Sequence, residues 1–252
     1  MKVFCCEDSF YGILTCIYDA WDSGYGHANV KLIIGEPVEY ELFCEYIKVY
    51  VNEEKAEKVI RSIKNKLSND IYKIVFKTSL SKSENRADIM YRFLVDAFKY
   101  GNKIISMLTL SSRIETFEIC RAIDSEAHLH LGFIRFNRNK AGILISKITP
   151  KNDILSIVAL HFSDRLSSEN WIIYDYNRKL AVVHKFGEKW FQVKLEDETV
   201  FQLEEVFLAP DITDRLWKIF FENINIKERY NPVCQRSHLP VRYRQNMTEF
   251  IK

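Results

Sequence analysis

Along the first half of the chain the apolar residues fall at helical spacing, and past residue 128 they fall at every second position. The run KVFCC near the start has strand length. Asp8 and Ser9 then offer a helix N-cap, and Phe10, Ile13, Leu14, Ile17 and Trp21 form one helical stripe that Gly24 or Gly26 should end. The segment ANVKLIIGEPVEYELF is strand-like but broken by Gly35 and Pro37. Helices are predicted over 52–67, with Ala56, Val59, Ile60 and Ile63 as the buried stripe, over 71–80, and from Ser83 or Glu84 to Gly101. Ser111 and Ser112 cap a further helix that runs through Ile123.

The stretch 121–136, RAIDSEAHLHLGFIRF, is where this helical pattern is expected to give way to a strand, with Asp124, Glu126, His128 and His130 at alternate positions. Beyond it, GFIRF, a turn at 137–140 and AGILISKI read as a β-hairpin. Pro150, Asn152 and Asp153 start a helix whose stripe is Ile154, Leu155, Val158, Ala159, Phe162 and Leu166. WIIYDY, LAVVHKF and KWFQVKL follow as strands joined by short turns, an antiparallel meander. Asp211 opens a last helix ahead of a basic tail. The expected class is α+β: a helical N-terminal half packed on a four- to five-stranded antiparallel sheet. It is read as a single 1–252 unit, with 1–127 mainly helical, 128–209 the sheet with one inserted helix, and 210–252 the C-terminal helix and tail.

Composition narrows the function classes. With 36 basic against 34 acidic residues the net charge is +2, so a nucleic-acid surface has to be a local patch and not a global field. No apolar run approaches the roughly 18 residues that a membrane span needs, and residues 1–20 lack a signal-peptide pattern. A soluble, cytoplasmic protein without membrane contact is expected. The six cysteines show no CxxC spacing and read as reduced core residues, so neither a zinc ribbon nor an iron–sulfur cluster is expected. Phosphate-cradling glycine loops and the common hydrolase signatures are absent as well, and no cofactor is expected.

Three constellations remain. On a helix Asp124 would face His128 and Glu126 would face His130, whereas on a strand all four share a face. Such a stretch is first of all an ion-paired and hydrogen-bonded structural junction, but either arrangement can also poise an acid or base near neutrality or supply part of a metal site whose third ligand is not local. In LHFSDR, His161 and Arg165 lie along one margin of a helix stripe, placed to hold an anion or to pair with a neighbouring acid. Finally, Arg135, Arg138, Lys140 and Lys147 occur between 127 and 150 without any acid. From 227 to 252, Lys227, Arg229, Arg236, Arg242, Arg244 and Lys252 outnumber Glu228 and Glu249, with Tyr230, His238, Tyr243 and Phe250 interleaved. Guanidiniums with aromatic neighbours suit phosphates and unpaired bases, although a basic tail is also an ordinary solvated surface. An extended tail would put Arg242 and Arg244 on one side.

Four segments, FYGILTCIYDAW, SEAHLHLGFIRF, ITPKNDILSIVALHFSDRLSSENWIIYDYNRKLAVVH and RYNPVCQRSHLPVRYRQNMTEF, resemble a bacterial family linked to DNA metabolism and repair without a known mechanism. The resemblance implies a companion, a radical-SAM protein acting on DNA, and a domain that in some relatives is fused ahead of a uracil-DNA glycosylase. The present chain is similar to the stand-alone form. The matching positions are His128, Gly132, Arg135, Phe136, His161, Phe162, Asp164, Arg165, Trp171, Tyr174, Asp175, Pro240, Arg242 and Tyr243, while His130 departs from the pattern. The leading expectation is therefore a DNA-associated accessory protein. It would bind damaged or single-stranded DNA through Arg135, Arg138, Lys140, Arg229, Arg236, His238, Arg242, Tyr243 and Arg244. One alternative is a repair hydrolase or glycosylase using His128 with Asp124 or Glu126, and His161 with Arg165. Another is a protein–protein scaffold for the radical-SAM companion.

Overall fold

The computed structural model describes residues 1–37, 39–208, 212–224 and 226–250. The expected helix start at Asp211 and the tail residue Lys252 lie outside them, as does the side chain of Lys227. The chain divides into two compact units, Met1–Asp124 and Ser125–Lys252.

The first unit is built on a three-stranded, wholly parallel sheet ordered β2-β1-β3, from β1 (Lys2–Cys6), β2 (Val30–Ile34) and β3 (Glu45–Lys48). The central strand β1 is buried on both faces, as strands of parallel sheets are, and this explains its unbroken apolar run. Its crossover to β2 contains helix α1 (Phe10–Asp22), whose first turn is capped by Ser9 Oγ accepting from the Gly12 amide. Helices α2 (Glu53–Lys66), α3 (Asn69–Ser79) and α4 (Arg86–Tyr100) complete the unit, with Asn52 and Ser68 as side-chain caps. One core joins them, from Phe4, Ile13, Leu14 and Ile17 to Ile63, Val75, Met90, Phe93 and Leu94. The helices match the sequence pattern, and so do β1 and the strand-like segment that holds β2, but the first half is not simply helical: its strands form a parallel sheet of their own. β3 escaped notice because its four residues, EYIK, carry no buried face.

Helix α5 (Ser111–Phe133) corrects the reading of the central stretch. The helix does not yield to a strand near 124; it continues for nine further residues to Phe133, and GFIRF forms no strand. Helical phase explains the alternation: Ile123, Glu126, Ala127 and His130 are buried, while Asp124 and His128, one turn apart on another face, are exposed.

The second unit carries a five-stranded sheet ordered β4-β5-β6-β7-β8: β4 (Asn137–Arg138), β5 (Leu144–Ile148), β6 (Trp171–Asp175), β7 (Leu180–His184) and β8 (Phe191–Lys194). The expected meander β6-β7-β8 is antiparallel, and so is the short β4-β5 pair. β5 and β6 are parallel, however, joined by crossover helix α6 (Leu155–Arg165), so the sheet is mixed and not antiparallel. Leu155, Val158, Ala159 and Phe162 are the buried stripe of α6. Helix α7 (Asp197–Leu208) was not foreseen; its Glu204 accepts from the Tyr174 hydroxyl and pairs with Lys147 at 2.8 Å. Helix α8 (Ile212–Asn223) precedes a tail folded as α9 (Pro232–His238), α10 (Val241–Arg244) and single 3-10 turns. Among the described residues no helix is long and apolar enough to cross a membrane.

Gly12 allows α1 to approach the strand end it leaves. A Cβ there would sit 2.5 Å from the Glu7 carbonyl oxygen and 2.9 Å from Ser9 Oγ. Gly12→Ala is expected to destabilise the fold by about 1–3 kcal/mol, read as a lowered denaturant midpoint. An unchanged midpoint would show that the approach is not tight.

Candidate functional site

The most polar part of the second unit is the turn at 149–153 between β5 and α6. Prolines, glycines and short polar residues favour such turns, but the backbone amides and carbonyls they expose must find partners when partly buried. The Glu126 side chain, only 4% exposed, supplies the acceptors. Its carboxylate takes the Lys151 amide at 2.9 Å, the Asn152 amide at 3.0 Å and the Asn152 side-chain amide at 2.8 Å. Donors converging in this way are what makes a buried carboxylate tolerable.

The carbonyls of the same turn are held from the other side. Arg178 donates to Pro150 O at 3.3 Å and also to Lys151 O. Its guanidinium is anchored at 2.7 Å on Asp175, whose side chain is fully buried and also accepts from the Asn177 amide at 2.9 Å. Burial pushes the Asp175 carboxyl above the usual carboxylate range, against the opposing pull of Arg178. Asp153, at the end of the turn, is raised by the same burial.

Tail residues close over this turn. Asn246 donates to Thr149 Oγ1 at 3.0 Å, as does Gln245. The Arg242 guanidinium reaches within 4.0 Å of Glu126, donates to the Tyr243 hydroxyl at 2.6 Å, and lies 4.7 Å from the centre of the Tyr243 ring. Even so, 45% of its side chain stays exposed. Tyr243 is buried against Phe133 and against His130, whose ring centre is 5.0 Å away. His130 Nδ1 donates to the Glu126 carbonyl at 2.9 Å. Burial pushes the His130 pKa down, with Arg242 adding to the effect, and its imidazole is therefore held neutral. The outcome is a layered arrangement: Glu126 and Asp175 are buried, Asp153 and Arg178 are half-buried above them, and Lys151 and Arg242 are exposed.

The residues singled out from sequence divide accordingly. Glu126, Arg242 and Tyr243 meet at the turn. Asp124 is instead ion-paired with Lys77 at 2.7 Å, and His128 is exposed. His161 on α6 keeps Nε2 buried without a partner among the described residues, while Asp164 and Arg165 are exposed at the end of that helix. Arg135 is committed internally: it grips Glu249 with two contacts of 2.8 and 3.3 Å, and the Glu249 side chain is 2% exposed. Burial works to raise the Glu249 carboxyl, but Arg135, a backbone amide and Trp217 together outweigh it and the pKa is lowered. Arg138 closes the β4–β5 turn on Gly142 O and Glu169, with Lys140 exposed at the tip.

The tail is helical rather than extended, so Arg242 and Arg244 do not share a side. Arg244 donates to Leu239 O at 3.3 Å and lies over the Phe250 ring. Arg236 donates to Pro232 O, His238 Nδ1 donates to Cys234 O, and Arg229 is exposed. Lys151, Asn152 and Arg178 were missed as site residues. Their signal was the Pro-Lys-Asn-Asp turn and the Asp175–Arg178 pair three residues apart. Among the described residues no three histidine, cysteine or carboxylate groups converge as a metal would require.

Glu126→Ala should destabilise the fold by about 3 kcal/mol in chemical denaturation, because two turn amides lose their acceptor. Glu126→Gln, which keeps one accepting oxygen, should cost less; equal losses would remove the carboxylate from this role. A pH dependence follows from His130. The unfolded chain takes up its proton near the ordinary value of 6.5 and the folded chain only below it, so this contribution is complete above 6.5 and lost as pH falls through it. Asp153 and Asp175, raised in the fold, act oppositely, losing stability as pH rises above their ordinary 3.8. The difference in melting temperature between the wild type and His130→Gln should therefore shrink on acidification from about pH 7.5 to 5.5. A constant gap would contradict the buried neutral imidazole.

No curated protein matches the chain. A family model described as a domain of unknown function, DUF4130, matches residues 84–249, about two thirds of the length, and that span contains Glu126, the turn at 149–153, Asp175, Arg178 and Arg242. The chain belongs to the DUF4130 family.

Proposed function

We propose that the chain is a DNA-associated accessory protein that binds single-stranded or damaged DNA by its phosphates, through the surface around the turn at 149–153. The observation that carries this reading is the layering of charge at that turn. Buried Glu126 and Asp175 orient Arg242 and Arg178, and the Arg242 side chain remains 45% exposed on an aromatic support. An oriented, partly exposed guanidinium is suited to bidentate phosphate contact. Lys151, in the turn itself, is exposed beside it, whereas Lys140 lies at the other end of β5. Arg135 leaves the contact set because Glu249 occupies it. The DNA class and the radical-SAM companion come from the sequence resemblance.

The hydrolase or glycosylase alternative is not carried forward. Asp124 is engaged by Lys77 and Glu126 by the turn, so neither of the carboxylates this reading assigned to His128 orients it. The scaffold alternative has one observation in its favour: Leu216, Ile219, Phe220 and Ile224 of α8 and its end are more than half exposed. Co-purification with the radical-SAM companion after nuclease treatment, lost in Ile219→Glu, would support it.

Binding of a fluorescent single-stranded oligonucleotide between 50 and 300 mM salt tests the leading reading. Affinity should fall steeply with salt, and Arg242→Gln should reduce the logarithmic salt slope by about 0.7, the value for one phosphate contact on a single strand. Arg135→Gln should lower the melting temperature and leave that slope unchanged. A salt-independent or undetectable interaction would end the proposal.

A further inference from the structure

A second feature, unrelated to the turn at 149–153, lies wholly within the first unit. Helices α1, α2 and α4 enclose a cleft of about 530 Å³, a volume ordinary for small-molecule sites. The lining positions are single helix faces: Ile17, Tyr18, Trp21 and Asp22 from α1; Lys58, Val59, Ser62 and Lys66 from α2; Leu94 and Phe98 from α4. The floor is apolar and the two lysines stand at its edge.

Trp21 is the informative residue. It is 38% exposed, yet its ring is fixed by three aromatic neighbours: His27 at 4.6 Å, Phe98 at 5.4 Å and Tyr91 at 6.1 Å, all edge-on. His27 is itself locked by a 2.8 Å hydrogen bond between its Nδ1 and the Tyr91 hydroxyl, and Tyr91 is fully buried. A large indole held rigidly while facing solvent is a preformed wall, which lowers the ordering cost of stacking a flat ring on it. Charge at the mouth is equally one-sided. Lys55 is committed to Asp19 at 2.6 Å, but among the described residues neither Lys58 nor Lys66 has an ion-pair partner. Lys58 Nζ lies 5.8 Å from the centre of the Tyr18 ring, on the cleft side. Asp22 is the single acid of the lining.

We propose that this cleft binds a planar aromatic anion: a ring system bearing a phosphate or carboxylate, with the ring against Trp21 and Phe98 and the anionic group at Lys58 and Lys66. The pairing follows from chemistry. An apolar slot with an aromatic wall selects a ring, and two cations without acidic partners select the charge.

The full chain is titrated with 1-naphthyl phosphate and followed by tryptophan fluorescence and calorimetry, with cyclohexyl phosphate and 1-naphthylmethylamine as the non-aromatic anion and the aromatic cation. Saturable binding of naphthyl phosphate alone is expected. The double variant Lys58→Gln, Lys66→Gln changes only exposed rim positions and should weaken binding roughly ten-fold, the loss of one or two charge-assisted hydrogen bonds. Trp21→Leu should abolish the fluorescence response and weaken binding, with circular dichroism confirming its fold. Absence of binding, equal binding of either control compound, or an unchanged affinity in the lysine variant overturns the proposal. None of these outcomes bears on oligonucleotide binding by the second unit, so the two readings fail separately.

Discussion

The arrangement of the second unit depends on one buried carboxylate. Glu126 lies on the inward face of α5, and satisfying it requires amides that a helix interior cannot spare, because its N–H groups are already bonded one turn back. The turn after β5 has such amides, and the electrostatic demand of a single side chain therefore fixes where that turn runs. The carbonyls on its other side are taken up by Arg178, itself fixed by Asp175. Once the turn is held, the tail can dock on it through Asn246 and Tyr243, and Arg242 is left at the surface with a defined direction.

This explains why acids and cations that look balanced in composition need not cancel in effect. A carboxylate beneath the surface and a guanidinium above it form a pair whose outward side is positive. The neutral His130 imidazole belongs to the same arrangement: a second cation beside Arg242 would repel it, and burial removes that charge.

Much of the fold was legible because periodicity reports burial directly. The stripes of α1 (apart from the exposed Trp21), α2 and α6 fell largely on buried faces, the helices α3 and α4 stood where expected, and β6, β7 and β8 paired as an antiparallel meander, although β8 has no buried residue. What failed was pairing and phase. A helix between two strands is the mark of a parallel crossover, and β5 and β6 were given the wrong relative direction because α6, although recognised, was not read as one. Four titratable residues at alternate positions mimicked a strand, and only the continuing helical phase of Ile123, Ala127 and His130 separates the two. The site was half legible. Glu126 and Arg242 stood out as charged residues in patterned segments, but Lys151 and Arg178 sat in turns, where residue type says little about direction.

The parallel pairing of β5 with β6 carries a kinetic corollary. Neighbouring strands β6, β7 and β8 are separated by turns of a few residues, whereas β5 reaches its partner only after residues 149–170 have closed into a crossover. Closing the longer loop costs more chain entropy before any contact repays it, so the meander is expected to assemble first and β5 to join afterwards. The turn gripped by Glu126 and Arg178 lies inside that crossover, which makes the cationic surface one of the last parts of the molecule to take shape.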